Sequence, residues 1–122
     1  MSHAFEEFRK KRLAGNDLIL KTENLGIKRL MSLDKITYDD GAISRKNKEL
    51  MGLVGSMVLR CNDCIDYHLD TCVQQGCSKA EVEEAFNIAL IIGGSIVIPH
   101  LRHAFASLEF LLDERAAKTD ER

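Results

Sequence analysis

A single proline interrupts the 122-residue chain, and nowhere do β-branched residues alternate with polar ones over the length of a strand. Both absences argue against sheets, because period-two alternation is what a half-buried strand requires. Long apolar runs are missing as well. The stretch "NIALIIGGSIVIPH", residues 87–100, lies in the longest run without a charge, and Gly93, Gly94 and Pro99 break it. It falls short of the roughly 20 apolar residues that a spanning helix needs, so no membrane association is expected. The opening "MSHAFEEFRKKRLAGN" lacks the apolar core of a secretory signal, which points to a cytoplasmic protein. Nor is there an excess of either charge. Seventeen basic residues stand against nineteen acidic ones, net −2, which excludes nucleic-acid binding driven by bulk charge.

Helix formers dominate what remains, and apolar residues recur every three or four positions, so the fold class is all-α with about six helices. With no linker, repeat or low-complexity segment, residues 1–122 read as one domain. Phe5, Phe8 and Leu13 mark a first amphipathic segment ending near Gly15 and Asn16. Leu25, Leu30, Leu33 and Ile36 mark a second, closed at Gly41 by a left-handed cap. Ser44 is the expected N-cap of a third helix, which carries ten uncharged residues after Glu49 and should be buried on most sides. Its Gly52 and Gly55 would let another backbone approach. A fourth helix stops at Gly76. A fifth starts with the capping box Ser78–Glu81 and ends at Gly93 and Gly94, and the last spans roughly Ile96 to Ala116. The third and fifth helices are apolar nearly all round, which anticipates self-association.

The chemistry lies in "RCNDCIDYH", Arg60 to His68. On a helix, Cys61, Cys64 and His68 share one face. A dithiol at that spacing closes to a disulfide with little backbone change, and a helix N-terminus favours the thiolate. His68, one turn beyond Cys64, can take its proton. A structural zinc would need four ligands, and only three stand here, with Cys72 and Cys77 remote. Glu49, alone at the start of an apolar helix, can pass protons to a histidine or merely suit the helix dipole. Cys72 and Cys77 read as packing residues, His100 and His103 as hydrogen-bonded or solvated surface residues. "FRKKR", Phe8 to Arg12, reads as a solvated face.

The run from Lys48 to Gly94 resembles the carboxymuconolactone decarboxylase family, specifically its AhpD-like alkylhydroperoxidase branch. The likeness covers about residues 40–111. The family pattern is a glutamate, eleven residues, then Cys-x-x-Cys-x-x-x-His, and Glu49, Cys61, Cys64 and His68 stand at that spacing. The resemblance implies an all-helical oligomer, a homotrimer or homohexamer, acting as a thiol-dependent peroxidase or disulfide exchanger without metal or other cofactor. Its partners would be a small-molecule hydroperoxide and an external thiol or disulfide reductant. Glu49 and His68 would relay the proton while Cys61 and Cys64 cycle. Peroxidases of the branch have a histidine just before the second cysteine. Here that place holds Asp63, an acid that tends to raise the neighbouring thiol's pKa. The competing reading is a non-enzymatic helical oligomer whose cysteine pair is structural or binds zinc.

Overall fold

The computed structural model describes residues 2–120. Six α-helices and, among the described residues, no strand make up the fold. They are α1 (Ser2–Leu20), α2 (Leu25–Thr37), α3 (Arg45–Val58), α4 (Asn62–Gln74), α5 (Lys79–Gly93) and α6 (Ile98–Asp120), with a 3₁₀ turn, Ser95–Val97, before α6. Side chains set the starts. Asn24, Ser44 and Ser78 each accept a hydrogen bond from a backbone N–H of the first turn they precede, and Ser78 forms the full reciprocal box with Glu81. Helix α4 stops at Gly76, whose φ of 85° admits the left-handed turn. There the Cys77 N–H donates to the Cys72 carbonyl and the Gly76 N–H to that of Val73, a Schellman closure.

The core forms where α3 packs on α4 and α5, and α4 on α6. Leu53, Met57, Ile65, Leu69, Val82, Phe86, Val97, Leu108 and Leu111 meet there with almost no exposure. Each such side chain contributes about 1.5–3 kcal/mol on burial. Helix α1 joins through Phe5, which packs against Phe8 and Phe110. A clamp reinforces it: Arg9 donates to both carboxylate oxygens of Asp70 on α4 and of Glu114 on α6, at 2.8–2.9 Å. Its guanidinium also lies over the Phe5 ring, 4.9 Å from the centroid.

Several expectations need correcting. Helix α1 runs past Gly15 and Asn16 to Leu20, because its docking on α4 and α6 outweighs two poor helix formers. Gly41 is not a left-handed cap, since the chain leaves α2 at Tyr38 with ordinary right-handed torsions. Helix α3 buries one side rather than most: Glu49, Leu53, Ser56 and Met57 face inward, whereas Met51 remains 56% exposed. "FRKKR" is more than a solvated face. Arg9 forms the clamp, and Arg12 stacks 3.9 Å above the Tyr67 ring. Helix α2 buries none of its residues within the chain, leaving Leu30, Leu33 and Ile36 more than half exposed.

Candidate active site

Helices α3 and α4 bring the site together. The Ser44 cap starts α3 so that Glu49, in its second turn, points inward between the helices, with no exposed surface. There its Oε2 accepts a 2.8 Å hydrogen bond from His68 Nδ1 of α4. A carboxylate partner fixes the imidazole tautomer, with the proton on Nδ1 and the lone pair on Nε2. The ring fits because Gly52 has no side chain. A Cβ there would stand 2.5 Å from Cε1 and 2.8 Å from each ring nitrogen. The space left by Gly52 thus admits an imidazole, not the backbone expected, and nothing lies within 4 Å of a Cβ at Gly55. Tyr38 and Tyr67 flank the ring, with centroids 5.3 and 5.1 Å away. The Tyr38 hydroxyl titrates above its usual range because it is partly buried and feels the Glu49 carboxylate.

Cys61 is the N-cap of α4, its sulfur accepting from the Cys64 N–H at 3.2 Å, and the two cysteines are joined as a disulfide with Cα atoms 5.3 Å apart. Arg60, immediately before, has a φ of 61°, a left-handed conformation unusual for a side-chain-bearing residue. That turn swings the chain from α3 into α4 and presents the dithiol at the helix N-terminus, where the backbone dipole favours thiolate. Cys64 is exposed, whereas Cys61 is half-buried. His68 lies one turn beyond Cys64 on the same helix face.

Cys64, Asp63, Tyr67 and His68 form one wall of a cavity of about 830 Å³, and residues of α1 and α2, including Phe8, Lys11 and Ile19, form the other. The four residues singled out by spacing thus form two pairs, Glu49 with His68 and Cys61 with Cys64, and one member of each, His68 and Cys64, lines a space large enough for an organic molecule. Cys72 and Cys77 stand apart from the Cys61–Cys64 pair, fully buried near the far end of α4 and just beyond it. Burial pushes the Cys72 thiol well above its usual range and raises that of Cys77. Cys72 lies eight helical steps beyond Cys64, about 12 Å along the axis, too far to share a metal with the pair. The last-helix histidines are hydrogen-bonded, as expected. His100 pairs with Asn62, and His103 with the buried Asp66, which also accepts from Ser107. These bonds fasten α6 to the start of α4.

Tyr38, which flanks the imidazole, Arg45, whose Nε lies 3.8 Å from Glu49 Oε1, and Asp66, which fastens α6 to α4, were not singled out beforehand. The charge at Arg45, four residues before Glu49, is the signal that helical spacing offered for it.

A chain of this length, fold and site has relatives. The model of the carboxymuconolactone decarboxylase family matches residues 27–107, and the chain belongs to that family. It is similar to a solved member from Thermotoga maritima for which involvement in the antioxidative response has been suggested. The two share 48% identity over 92% of this chain and 95% of that one, with a TM-score of 0.88. A member from Legionella pneumophila shares the fold, with a TM-score of 0.81 and 23% identity over 88% of this chain and 96% of that one. An uncharacterised protein of the cox locus of Paracoccus denitrificans is 25% identical over 79 residues, 65% of this chain and 71% of that protein. Among the described residues, no helix is long and apolar enough to cross a membrane.

Proposed function

We propose that this chain is an AhpD-like thiol-dependent oxidoreductase, which reduces hydroperoxides or exchanges disulfides through Cys61 and Cys64, with Glu49 and His68 as the proton relay. The observation that carries the reading is the buried Glu49–His68 hydrogen bond one helical turn from an exposed cysteine in a closed Cys-x-x-Cys pair. Similarity to the Thermotoga maritima protein supports the same direction.

In this reading His68 Nε2 takes the Cys64 proton, and Glu49 stabilises the resulting imidazolium. The Cys64 thiolate attacks the terminal oxygen of a hydroperoxide. The O–O bond breaks, leaving Cys64 as a sulfenic acid, and the departing alkoxide takes its proton from His68. The Cys61 thiol then attacks the sulfenic sulfur, closing the disulfide and releasing water. An external dithiol returns two electrons and two protons by exchange. Cys64 is the attacking thiol because it lines the cavity beside His68, whereas Cys61 caps the helix. Asp63 is exposed at the cavity wall and disfavours a second negative charge next to it. It therefore tempers the thiolate without removing the relay.

We also propose that the chain self-associates, as a homotrimer or homohexamer. Two separate apolar faces support this. One is on α2, and the other is on α3 and α5, where Met51, Ile88, Ile91 and Ile92 are all more than half exposed. A monomer by light scattering at micromolar concentration would refute it.

The catalytic reading is tested by treating the reduced protein with one equivalent of an organic hydroperoxide. Mass spectrometry should show the loss of two hydrogens in the peptide holding Cys61 and Cys64. Trapping with a sulfenic-acid probe should label Cys61→Ser and not Cys64→Ser. Thiols that resist oxidation while zinc copurifies stoichiometrically would establish the non-enzymatic alternative instead.

A further inference from the structure

Two buried polar atoms at the site lack a hydrogen-bond partner, and they face each other. Glu49 Oε1, the carboxylate oxygen not used by His68, has no donor, and Arg45 Nε has no acceptor. They lie 3.8 Å apart, one helical turn from each other on α3. Buried polar atoms are normally satisfied, and an uncompensated carboxylate in a dry site is among the costliest groups to leave alone. The spacing is that of an ion pair held just outside hydrogen-bond contact, so it acts through charge rather than through a shared proton.

The other groups around the carboxylate leave that place to Arg45. His68 from α4 holds Oε2. Tyr38, following α2, stands beside the imidazole and brings no positive charge. Cys72 from α4 is buried and protonated. Lys48, a neighbour on α3, spends its ammonium on the carbonyls of Thr37 and Asp39. Arg45 itself is partly exposed and reaches into a shallow groove beside Arg12, Tyr67 and Asp70.

We propose that Arg45 is a positioning residue of this site, whose guanidinium holds the Glu49 carboxylate with Oε2 turned to His68 and sets the charge that the proton relay works against. The proposal rests on the relay reading given above. Its chemistry is simple: a positive charge beside the Glu49–His68 pair opposes the uptake of a further proton. Removing it makes that uptake easier, so the relay is lost to protonation at a higher pH.

The test is the pH dependence of thiol oxidation by a small organic hydroperoxide, measured on the reduced full-length protein as wild type, Arg45→Gln and Arg45→Lys. Thermal melting checks that each variant folds. The acid limb should move to higher pH in Arg45→Gln, because an opposite charge beside the pair has been removed. Arg45→Lys, which keeps the charge, should bring it back. The titration of His68 followed by imidazole carbon shifts should move in the same sense, independently of turnover. Superimposable profiles in all three proteins would overturn the proposal, and so would a uniform loss of rate at every pH in both variants. A wild type that shows no oxidation would refute the relay reading. In that event the imidazole titration still decides whether Arg45 biases the pair.

Discussion

Replacing Gly52 with alanine sets two effects of opposite sign against each other. In an exposed helix interior the change would stabilise by about 1 kcal/mol, because glycine loses the most backbone freedom on folding. At Gly52, however, the new Cβ would stand 2.5 Å from the His68 ring. Ordinary contact begins near 3.4 Å, so the ring would have to retreat by about 1 Å. Tyr38 and Tyr67 flank it, and its Nδ1 is tied to Glu49. Loss of a hydrogen bond to a charged buried group costs about 1.5–3 kcal/mol. Set against the propensity gain, the net is a destabilisation of about 0.5–2 kcal/mol, or roughly 2–8 °C in Tm for a domain of this size. Gly55→Ala is the internal control. It lies on the same helix with nothing within 4 Å of the added carbon, so it should keep the full gain. Thermal melts followed by circular dichroism, together with hydroperoxide-driven thiol oxidation, read both effects. Gly52→Ala should melt lower and oxidise slowly, and Gly55→Ala should melt higher and oxidise at the wild-type rate. If Gly52→Ala were as stable and as reactive as wild type, the tight seating of His68 would be wrong.

Other outcomes follow from the same structure. With the protein reduced and folded, iodoacetamide at neutral pH should modify two cysteines, Cys61 and Cys64, because burial keeps Cys72 and Cys77 protonated and out of reach. All four should react in denaturant, as counted by mass spectrometry. The Arg9 clamp gives a pH signature. Its hydrogen bonds hold the Glu114 carboxyl below the usual carboxylate value. A depressed value means that the stabilisation is present above the ordinary carboxylate pKa and fades as pH falls through the folded one. Arg9→Met should therefore lower Tm at pH 7 and lose less further stability on acidification than wild type does, as measured by melts from pH 7 to 3. Asp66→Ala, which leaves His103 and Ser107 without their shared acceptor, should cost about 1–3 kcal/mol in denaturant unfolding.

What could be read from the sequence was whatever depends on neighbours in the chain. The Ser44 and Ser78 caps, the stop at Gly76 and the shared helix face of Cys64 and His68 are local, and helical geometry fixes them. The pairing of Glu49 with His68 crosses between helices and rested on family spacing rather than on periodicity. Physical reasoning alone left Glu49 divided between a buried acid and a first-turn charge. Features that arise only when helices meet were out of reach. The extension of α1 past Gly15 depends on Phe5 and Arg9 docking elsewhere. The role of "FRKKR" depends on Asp70 and Glu114, which lie 61 and 105 residues away from Arg9. Gly52 was noticed for its size, but that an imidazole occupies the space follows from how α4 crosses α3. The one-sided burial of α3 shows the reverse case, in which ten uncharged residues mark apolar surface without saying whether this chain or another copy covers it.

The claim that matters most is that His68, held by Glu49, activates Cys64. Its direct test is the single-turnover rate at which an organic hydroperoxide closes the Cys61–Cys64 disulfide in wild type and in His68→Gln. General-base assistance of this kind is worth roughly a hundredfold or more, so the variant should slow by at least that factor near neutral pH. It should recover part of the rate at alkaline pH, where the thiol ionises unaided. Equal rates in the two proteins at neutral pH would contradict it.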